Sequence, residues 1–160
     1  MKIAFTGHRP NYFANIKQEK VAFTAALFAE LIKIKHLQPF EFITGGALGV
    51  DTWAADIAID CGLKLTLVLP FPHGVMTSKW KVDDATKLLN HALAAKQIIV
   101  IDTEFNWAAY QKRNKWMVDN CNLLLAWWIG KKHGGTWNCI QYAEKVGKPW
   151  INLRLNSKET

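Results

Sequence analysis

Cysteine is scarce in this sequence, and its three copies are poorly placed for either cross-linking or metal binding. Cys61, Cys121 and Cys139 are odd in number, widely spaced and in no CxxC pair. This pattern argues against both a disulfide framework and a zinc site, and we expect no metal and no other cofactor. All three cysteines are expected to be buried, reduced thiols.

Long apolar runs are absent as well. The opening MKIAFTGHRP reaches a glycine soon after its only lysine, which leaves no room for the apolar core of a signal peptide, and no run has transmembrane length. We therefore expect a cytoplasmic protein with no membrane partner. The chain also lacks repeats and linkers, and its 160 residues are too few for two ordinary domains, which predicts a single domain over 1–160. The polar end RLNSKET is expected to be frayed.

Acidic residues are outnumbered. Twenty Lys and Arg stand against thirteen Asp and Glu, which gives a formal net charge of +7. Such a charge favours anionic partners, including nucleotides, nucleic acids and acidic proteins, through long-range attraction. Charge alone does not choose among these three classes.

Short apolar runs alternate with longer stretches of helical period, which is typical of parallel strands joined by crossover helices. The pattern predicts an α/β fold with a mostly parallel sheet of about six strands. Strands are predicted at 3–6, 41–44, 65–69, 98–101, 123–127 and 150–153, and helices at about 17–36, 48–61, 79–95, 106–120 and 135–147.

The turns after the carboxyl ends of the strands carry the informative chemistry, because open parallel sheets bind ligands there. In TGHRP, Gly7 frees the backbone, His8 offers a donor or acceptor, and Arg9 offers a planar fork suited to phosphate. An ordinary polar surface loop is the alternative.

The second turn lies in FITGGALGVDTWAA, where Gly45 and Gly46 leave a strand and Gly49 begins the next helix. Glycines here would let a phosphate approach the amino end of the helix, or they would only allow a tight, closely packed reversal. Asp51 would cap that helix or contact a ribose hydroxyl.

Two later turns complete the set. PFPHGVMTSKW is a rigid loop whose Trp80 would stack on a base or pack beneath the loop. IGKKHGGTWNC holds Gly134, Gly135 and Thr136 at a second glycine-bearing helix start, preceded by two lysines and a histidine. Two such starts facing one crevice would bind a polyanion better than either alone.

Together the stretches TGHRP, GGALGVDTWAA, LPFP, RNKWMVDNCNLLLAWW and GGTWNCIQYAEKVGKPWINL resemble the YpsA-like branch of the SLOG superfamily, which unites SMF/DprA and LOG-like proteins. The resemblance implies a Rossmann-like three-layer domain with a nucleotide-type ligand over the strand ends. By the same resemblance the pocket would be lined or supported by Gly7, His8, Arg9, Gly45, Gly46, Gly49, Asp51, Asn114, Asp119, Asn120, Gly134, Gly135 and Thr136.

The resemblance also shows what is missing. In LOG-like hydrolases the late loop continues into acidic residues, and a glutamate there assists cleavage of the N-glycosidic bond. Here Asn138 and Cys139 occupy that stretch, and an amide cannot act as a general acid or base. Asp51 and Asp119 are the remaining catalytic candidates, although a hydrogen bond at a helix end is the simpler role for Asp119.

Three functions compete. The first is the binding or sensing of a nucleotide-derived ligand, either ADP-ribose-like or a nucleoside phosphate. The second is a phosphoribohydrolase-like or nucleotide-sugar hydrolase. The third is weak binding of single-stranded DNA as in DprA-like proteins, which needs basic residues interleaved with exposed aromatics. Residues of the types that DNA binding needs occur at Trp107, Lys112, Arg113, Lys115 and Trp116.

The sequence leaves open whether the protein forms a homo-oligomer.

Overall fold

The computed structural model describes residues 1–156, and its centre is a parallel sheet of six strands. The strands lie in the order β4-β3-β2-β1-β5-β6, and every neighbouring pair is parallel. This confirms the predicted α/β class and the Rossmann-like arrangement. The strands are β1 (Lys2–Gly7), β2 (Glu41–Thr44), β3 (Lys64–Leu69), β4 (Gln97–Val100), β5 (Leu123–Trp127) and β6 (Trp150–Asn152).

Helices connect the strands and cover both faces of the sheet. Two single turns of 3-10 helix, Pro10–Tyr12 and Lys35–Leu37, lie before and after the first long helix. The α-helices of the described residues are α1 (Ile16–Lys33), α2 (Val50–Asp60), α3 (His73–Met76), α4 (Val82–Ala94), α5 (Ala108–Asp119), α6 (Gly135–Lys145) and α7 (Leu153–Asn156).

Two apolar cores lie on opposite faces of the sheet. The larger one packs α1, α2 and α4 against the side chains of Phe5, Phe42 and Leu67, with Phe23 and Trp53 at its centre. The smaller one packs α5 and α6 against Ala4, Ile43 and Val68. From β1 the strands are added outward in the order β2, β3 and β4. The chain then crosses back and adds β5 on the other side of β1. This reversal of strand order creates a crevice at the carboxyl ends of β1 and β5.

The observed helices are shorter than the sequence predicted. The first ends at Lys33 rather than near 36, because the following residues tighten into the Lys35–Leu37 turn. The predicted helix at 79–95 begins only at Val82, and the loop before it forms its own short helix, α3. Neither α3 nor α7 was predicted, since a helix of four residues is too short to show a period.

Two expectations about exposed segments need correction. Cys61 is exposed rather than buried, because it follows the last residue of α2 at the surface, whereas Cys121 and Cys139 are buried; all three are free. The stretch expected to fray begins inside α7, whose first residue Leu153 is buried. The remainder of that stretch, 157–160, lies outside the described residues. Within 1–156, no helix combines the length and the apolar character needed to cross a membrane.

Candidate functional site

A crevice of about 490 Å³ opens at the carboxyl edge of the sheet. Its floor is the end of β1, and its walls come from the loop after β1, the first two turns of α5 and the start of α6. Its lining comprises Phe5, Thr6, Gly7, His8, Arg9, Asn11, Tyr12, Ala47, Asp51, Trp107, Tyr110, Gln111, Arg113, Asn114, Met117, His133, Gly134, Gly135, Thr136 and Asn138.

The structure brings eight of the predicted site residues into this lining and leaves six outside it. The eight come from four separate turns or helices, so the sheet edge gathers them as the strand order requires. The lining residues are Gly7, His8, Arg9, Asp51, Asn114, Gly134, Gly135 and Thr136; those outside are Gly45, Gly46, Gly49, Trp80, Asp119 and Asn120.

The start of α6 forms an open part of the crevice wall. Its N-cap residue Gly134 has φ 86° and supplies no side-chain cap. The first-turn N–H groups of Gly135, Thr136 and Trp137 make no hydrogen bond to any described residue. A Cβ atom placed on Gly135 would meet nothing within 4 Å. Gly135 and Thr136 thus bring unpaired N–H groups to the crevice wall at the positive end of a helix dipole.

Arg113 is a buried cation in the same wall. Its Nη1 donates to the carbonyl oxygen of Gly45, and its Nε donates to Asn114 Oδ1 over 3.1 Å. Its Nη2 has no hydrogen-bond partner among the described residues. Burial lowers the pKa of Arg113 and the Asp51 carboxylate opposes this effect, although a guanidinium stays protonated in proteins. One charged nitrogen thus remains available to a ligand.

Asn114 couples that cation to the start of α6. While its Oδ1 accepts from Arg113, its Nδ2 donates to the carbonyl oxygen of Gly135 over 3.3 Å. Gln111 forms a second link between the helices, since its Nε2 donates to the carbonyl oxygen of Asn138 over 3.4 Å. These contacts fix the guanidinium relative to the open N–H groups before any ligand arrives.

His8 is a neutral part of the crevice. The backbone N–H of Ile129 donates to its Nε2 over 3.2 Å, which assigns the ring proton to Nδ1. Burial lowers the pKa of His8 to about 4, and the positive charges of Arg154, His133 and Lys131 add to the effect. Its ring stacks on that of Tyr12 with centroids 4.7 Å apart. His8 therefore shapes the crevice near neutral pH without adding charge.

The turn between β2 and α2 already holds an anion of its own. The carboxylate of Asp51 accepts from the backbone N–H of Ala47 over 3.1 Å, and the nearby backbone N–H of Gly45 also favours its ionised form. Burial raises the pKa of Asp51, while the positive charge of Arg113 and these N–H groups act to lower that pKa. The N–H groups that the sequence assigned to a phosphate therefore bind a side chain of the protein itself.

The glycines of that turn allow close packing rather than access to a ligand. A Cβ atom on Gly46, whose φ is 72°, would lie 2.5 Å from Leu69 Cδ2. A Cβ atom on Gly45 would collide with the Arg113 guanidinium, and one on Gly49 would lie 2.6 Å from the carbonyl oxygen of His8. The tight-reversal alternative fits these three positions, which support the crevice from behind.

Three other predicted residues lie away from the crevice for separate reasons. Trp80 is half-buried and packs against the larger core. Asp119 and Asn120 end α5 at the opposite edge of the sheet, where a hollow also contains Lys2 and Glu41. There Asp119 accepts a hydrogen bond from Tyr142 over 2.8 Å, and Asn120 bonds to the last turn of its own helix.

Sequence reasoning missed the aromatic residues of the crevice and the role of Arg113. Tyr12, Trp107 and Tyr110 line the crevice, but none lies in a glycine-rich turn. From the sequence alone, Trp107 and Arg113 stand out only as residue types suited to DNA binding. A signal was available, because a helix that follows a strand begins at the ligand-binding edge, so the first two turns of α5 had to face the crevice.

The chain resembles known proteins over most of its length. Residues 3–148 match the model of the YpsA family, described as the YspA SLOG family. An uncharacterized SPbeta prophage-derived protein, YoqJ, from Bacillus subtilis is 30% identical over 136 residues, which cover 76% of this chain and 78% of YoqJ.

Two solved structures share the fold at low sequence identity. DNA processing protein A (DprA) from Streptococcus pneumoniae superimposes with a TM-score of 0.68 at 18% identity, over 93% of this chain and 48% of that protein. DprA from Helicobacter pylori, described for its single-stranded DNA binding mode, gives a TM-score of 0.62 at 18% identity, over 94% of this chain and 63% of that protein. This chain thus spans about half to two thirds of the DprA chains.

The family match covers all but the ends of the chain and includes every strand that borders the crevice. The TGHRP turn, the β2–α2 turn and the start of α6 all fall inside it. The chain therefore belongs to the YpsA family of SLOG proteins.

Proposed function

We propose that this protein binds a nucleotide-derived ligand, ADP-ribose-like or a nucleoside phosphate, with a phosphate group at the start of α6. The observation that carries the proposal is the pair of unpaired N–H groups at Gly135 and Thr136, two residues of the crevice lining. Backbone N–H groups at a helix start are a common phosphate site, because donors and dipole act on the same anion.

The charges around the crevice support an anionic ligand. Arg9 and Arg113 belong to its lining, and Lys131 follows β5 close enough to affect His8. Within the lining, only Asp51 carries a carboxylate, and that group is committed to backbone N–H donors. A volume of about 490 Å³ also falls in the range of about 300–1,000 Å³ that small-molecule sites occupy.

Gly135→Val tests the proposal directly. A Cβ atom there meets nothing within 4 Å, and the added side chain would occupy the place of the phosphate, so we expect the affinity for AMP and ADP-ribose to fall at least about tenfold while the fold persists. Gly74→Val is the matched control, since a Cβ atom there also meets nothing within 4 Å and Gly74 lies outside the crevice lining.

Isothermal titration calorimetry and thermal unfolding measure the two effects. A ligand present at a hundred times its dissociation constant should stabilise the wild-type protein by about 2.7 kcal/mol. If Gly135→Val and Gly74→Val bind AMP and ADP-ribose with equal affinity, the phosphate does not bind at the start of α6. If a panel of nucleoside phosphates and ADP-ribose leaves the wild-type melting temperature unchanged, the proposal of a small nucleotide ligand is wrong.

Single-stranded DNA is the second candidate. The DprA structure from Helicobacter pylori is described for its mode of binding single-stranded DNA, and this chain has a basic aromatic surface of the type that such binding requires. Lys132 Nζ lies 5.8 Å from the centroid of the Trp137 ring, which stacks on Trp128 at 5.1 Å. This surface follows β5 directly and adjoins the start of α6.

A hydrolase is the least supported of the three functions. Of its two candidate acids, Asp119 lies at the opposite edge of the sheet and Asp51 is held by backbone donors. General acid catalysis needs a carboxyl group that reaches the ligand.

Three further expectations from the sequence stay predictions: the single domain over 1–160, the cytoplasmic location and a homo-oligomer.

A further inference from the structure

An aromatic cluster stands at the mouth of the crevice. Phe105, Trp107 and Tyr110 form this cluster, which we call the aromatic platform, and it rests on the buried ring of Phe71. Phe71 lies 5.4 Å, between ring centroids, from both Phe105 and Tyr110. The Trp107 ring lies 5.1 Å from Phe105 and 6.1 Å from Tyr110. Trp107 and Tyr110 line the crevice, whereas Phe105 braces Trp107 from outside.

The segment that bears the platform is held by its own hydrogen bonds. Asp102 accepts from the Thr103 N–H over 3.1 Å and from Asn106 Nδ2 over 2.9 Å. Asn106 Oδ1 in turn accepts from the Ala109 N–H over 2.9 Å and so closes the first turn of α5. These bonds lower the pKa of Asp102, which keeps it ionised as their acceptor. The platform is therefore preorganised.

Packing within the chain does not account for the exposure of the platform. Trp107 is 78% exposed and Phe105 is 54% exposed, although both are large and apolar. An aromatic side chain contributes most when it is covered, and a planar partner covers it best. The platform and the open N–H groups of α6 border the same crevice, so one ligand can contact both.

We propose that Trp107 and Tyr110 are a stacking surface for the nucleobase of the ligand whose phosphate lies at the start of α6. This inference rests on the proposed function and deepens it. The ligand class becomes a nucleoside phosphate unit with an intact base, either free or as part of a single strand, and sugar phosphates without a base bind more weakly. Because every base has a π face, stacking here discriminates little among the four bases.

The test compares AMP with ribose 5-phosphate, which has the same sugar phosphate and no base. Calorimetry on the wild-type protein should give about tenfold tighter binding of AMP, the size expected for one stacked base. Trp107→Ala should remove that difference and leave the affinity for ribose 5-phosphate unchanged. Trp107→Phe should restore most of it, because the smaller ring still stacks. Leu93→Ala, which removes an equally exposed apolar side chain of α4, is the control and should bind as wild type.

Each result separates the platform from the phosphate site. If AMP and ribose 5-phosphate bind the wild-type protein equally and Trp107→Ala changes neither, the platform is wrong and the proposed function stands. If neither compound nor a labelled oligodeoxyadenylate binds, both are wrong. If only the oligonucleotide binds and Trp107→Ala weakens it about tenfold, the platform holds and its base comes from a strand.

Discussion

At the scale of single residues, His8 is the group whose chemistry depends most on its surroundings. The sequence offered it as a donor or acceptor for a ligand, but its Nε2 is already used by the Ile129 N–H. Burial and the positive charges near it lower its pKa to about 4. The folded protein therefore resists protonation of His8 at a pH where the unfolded chain accepts a proton, which links this residue to stability.

The sign of that linkage gives a prediction. Between pH 6.5 and about 4 the unfolded chain binds more protons at His8 than the folded chain does, so acidification lowers the free energy of unfolding. We expect His8 to account for a loss of about 1–2 kcal/mol between pH 7 and pH 5. His8→Gln keeps an acceptor for Ile129 and should remove that part of the loss.

Urea unfolding at pH 7 and pH 5 measures the difference for the two proteins. His36→Gln, on the exposed Lys35–Leu37 turn, controls for the removal of an imidazole as such. An acid-induced loss of stability that is equal in wild type and His8→Gln would show that His8 does not titrate below its ordinary range.

The glycines show how far single residues could be assigned from sequence. The pattern GGxxG and the pattern GGT both predicted a helix start after a strand, and both helix starts exist. Their roles differ because of what surrounds them. Gly46 lies against Leu69, whereas nothing lies within 4 Å of a Cβ atom on Gly135. Such three-dimensional neighbours are not encoded in local spacing.

At the scale of elements, the turn between β2 and α2 is a closed unit. Asp51, in the first turn of α2, gathers the N–H groups of the preceding loop, and Arg113 from α5 binds the carbonyl oxygen of Gly45 behind it. Asp51 of α2 and Arg113 of α5 thus bind the backbone of the β2–α2 turn from two sides. Asp51 is 8% exposed, so its interactions are made in surroundings of low polarity.

We therefore predict that Asp51→Asn destabilises the fold. The amide offers one acceptor oxygen instead of two and removes the negative charge that offsets Arg113, and we expect the free energy of unfolding to fall by about 2 kcal/mol. Urea unfolding measures it, with Asp60→Asn at the exposed end of α2 as a control of equal charge. If the wild-type protein releases base from AMP, and Asp51→Asn keeps wild-type stability but loses that release, this carboxylate has a catalytic role.

Apolar periodicity located the elements well and the functional face of α5 poorly. β5 is buried along its whole length, and such a strand reads as one apolar run. In α5 the buried residues include Arg113 and Asn114, which no apolar pattern identifies. In α1 both the buried Phe23 and the exposed Ile32 are apolar, so period alone could not select the face that packs.

At the scale of the whole molecule, the sheet order unites residues that are far apart in the sequence. The parallel pairing of β1 with β5 brings the TGHRP turn beside the segment that leads into α6. The sequence predicted this edge from the order of its elements alone. It also placed Arg9 and the two lysines of IGKKHGGTWNC in turns at this edge, but it could not predict that Arg113 of α5 would join the crevice wall, since the net charge of +7 does not reveal how the charges are distributed.

That distribution determines how the protein should respond to salt. Arg9 lines the crevice, and Lys131 and Lys132 belong to the loop that leads into α6, so we expect any contact with a single strand to be made mainly to its phosphates. Each phosphate contact on a single strand contributes about 0.7 to the slope of log K against log salt. We expect a labelled oligonucleotide to bind weakly. Its affinity should fall steeply as the salt concentration rises from about 50 to about 200 mM, because each phosphate contact adds to the slope.

Replacing Lys131 and Lys132 together by alanine should lower that slope by up to about 1.4, because two phosphate contacts are lost. Replacing Lys35 and Lys145 together, in the turn after α1 and in the last turn of α6, removes the same charge at the opposite edge of the sheet and should leave the slope nearly unchanged. Fluorescence anisotropy across the salt series distinguishes the two double variants. Submicromolar binding that resists salt would mean that bases rather than phosphates dominate the contact, and single-stranded DNA would then replace the small nucleotide as the leading ligand.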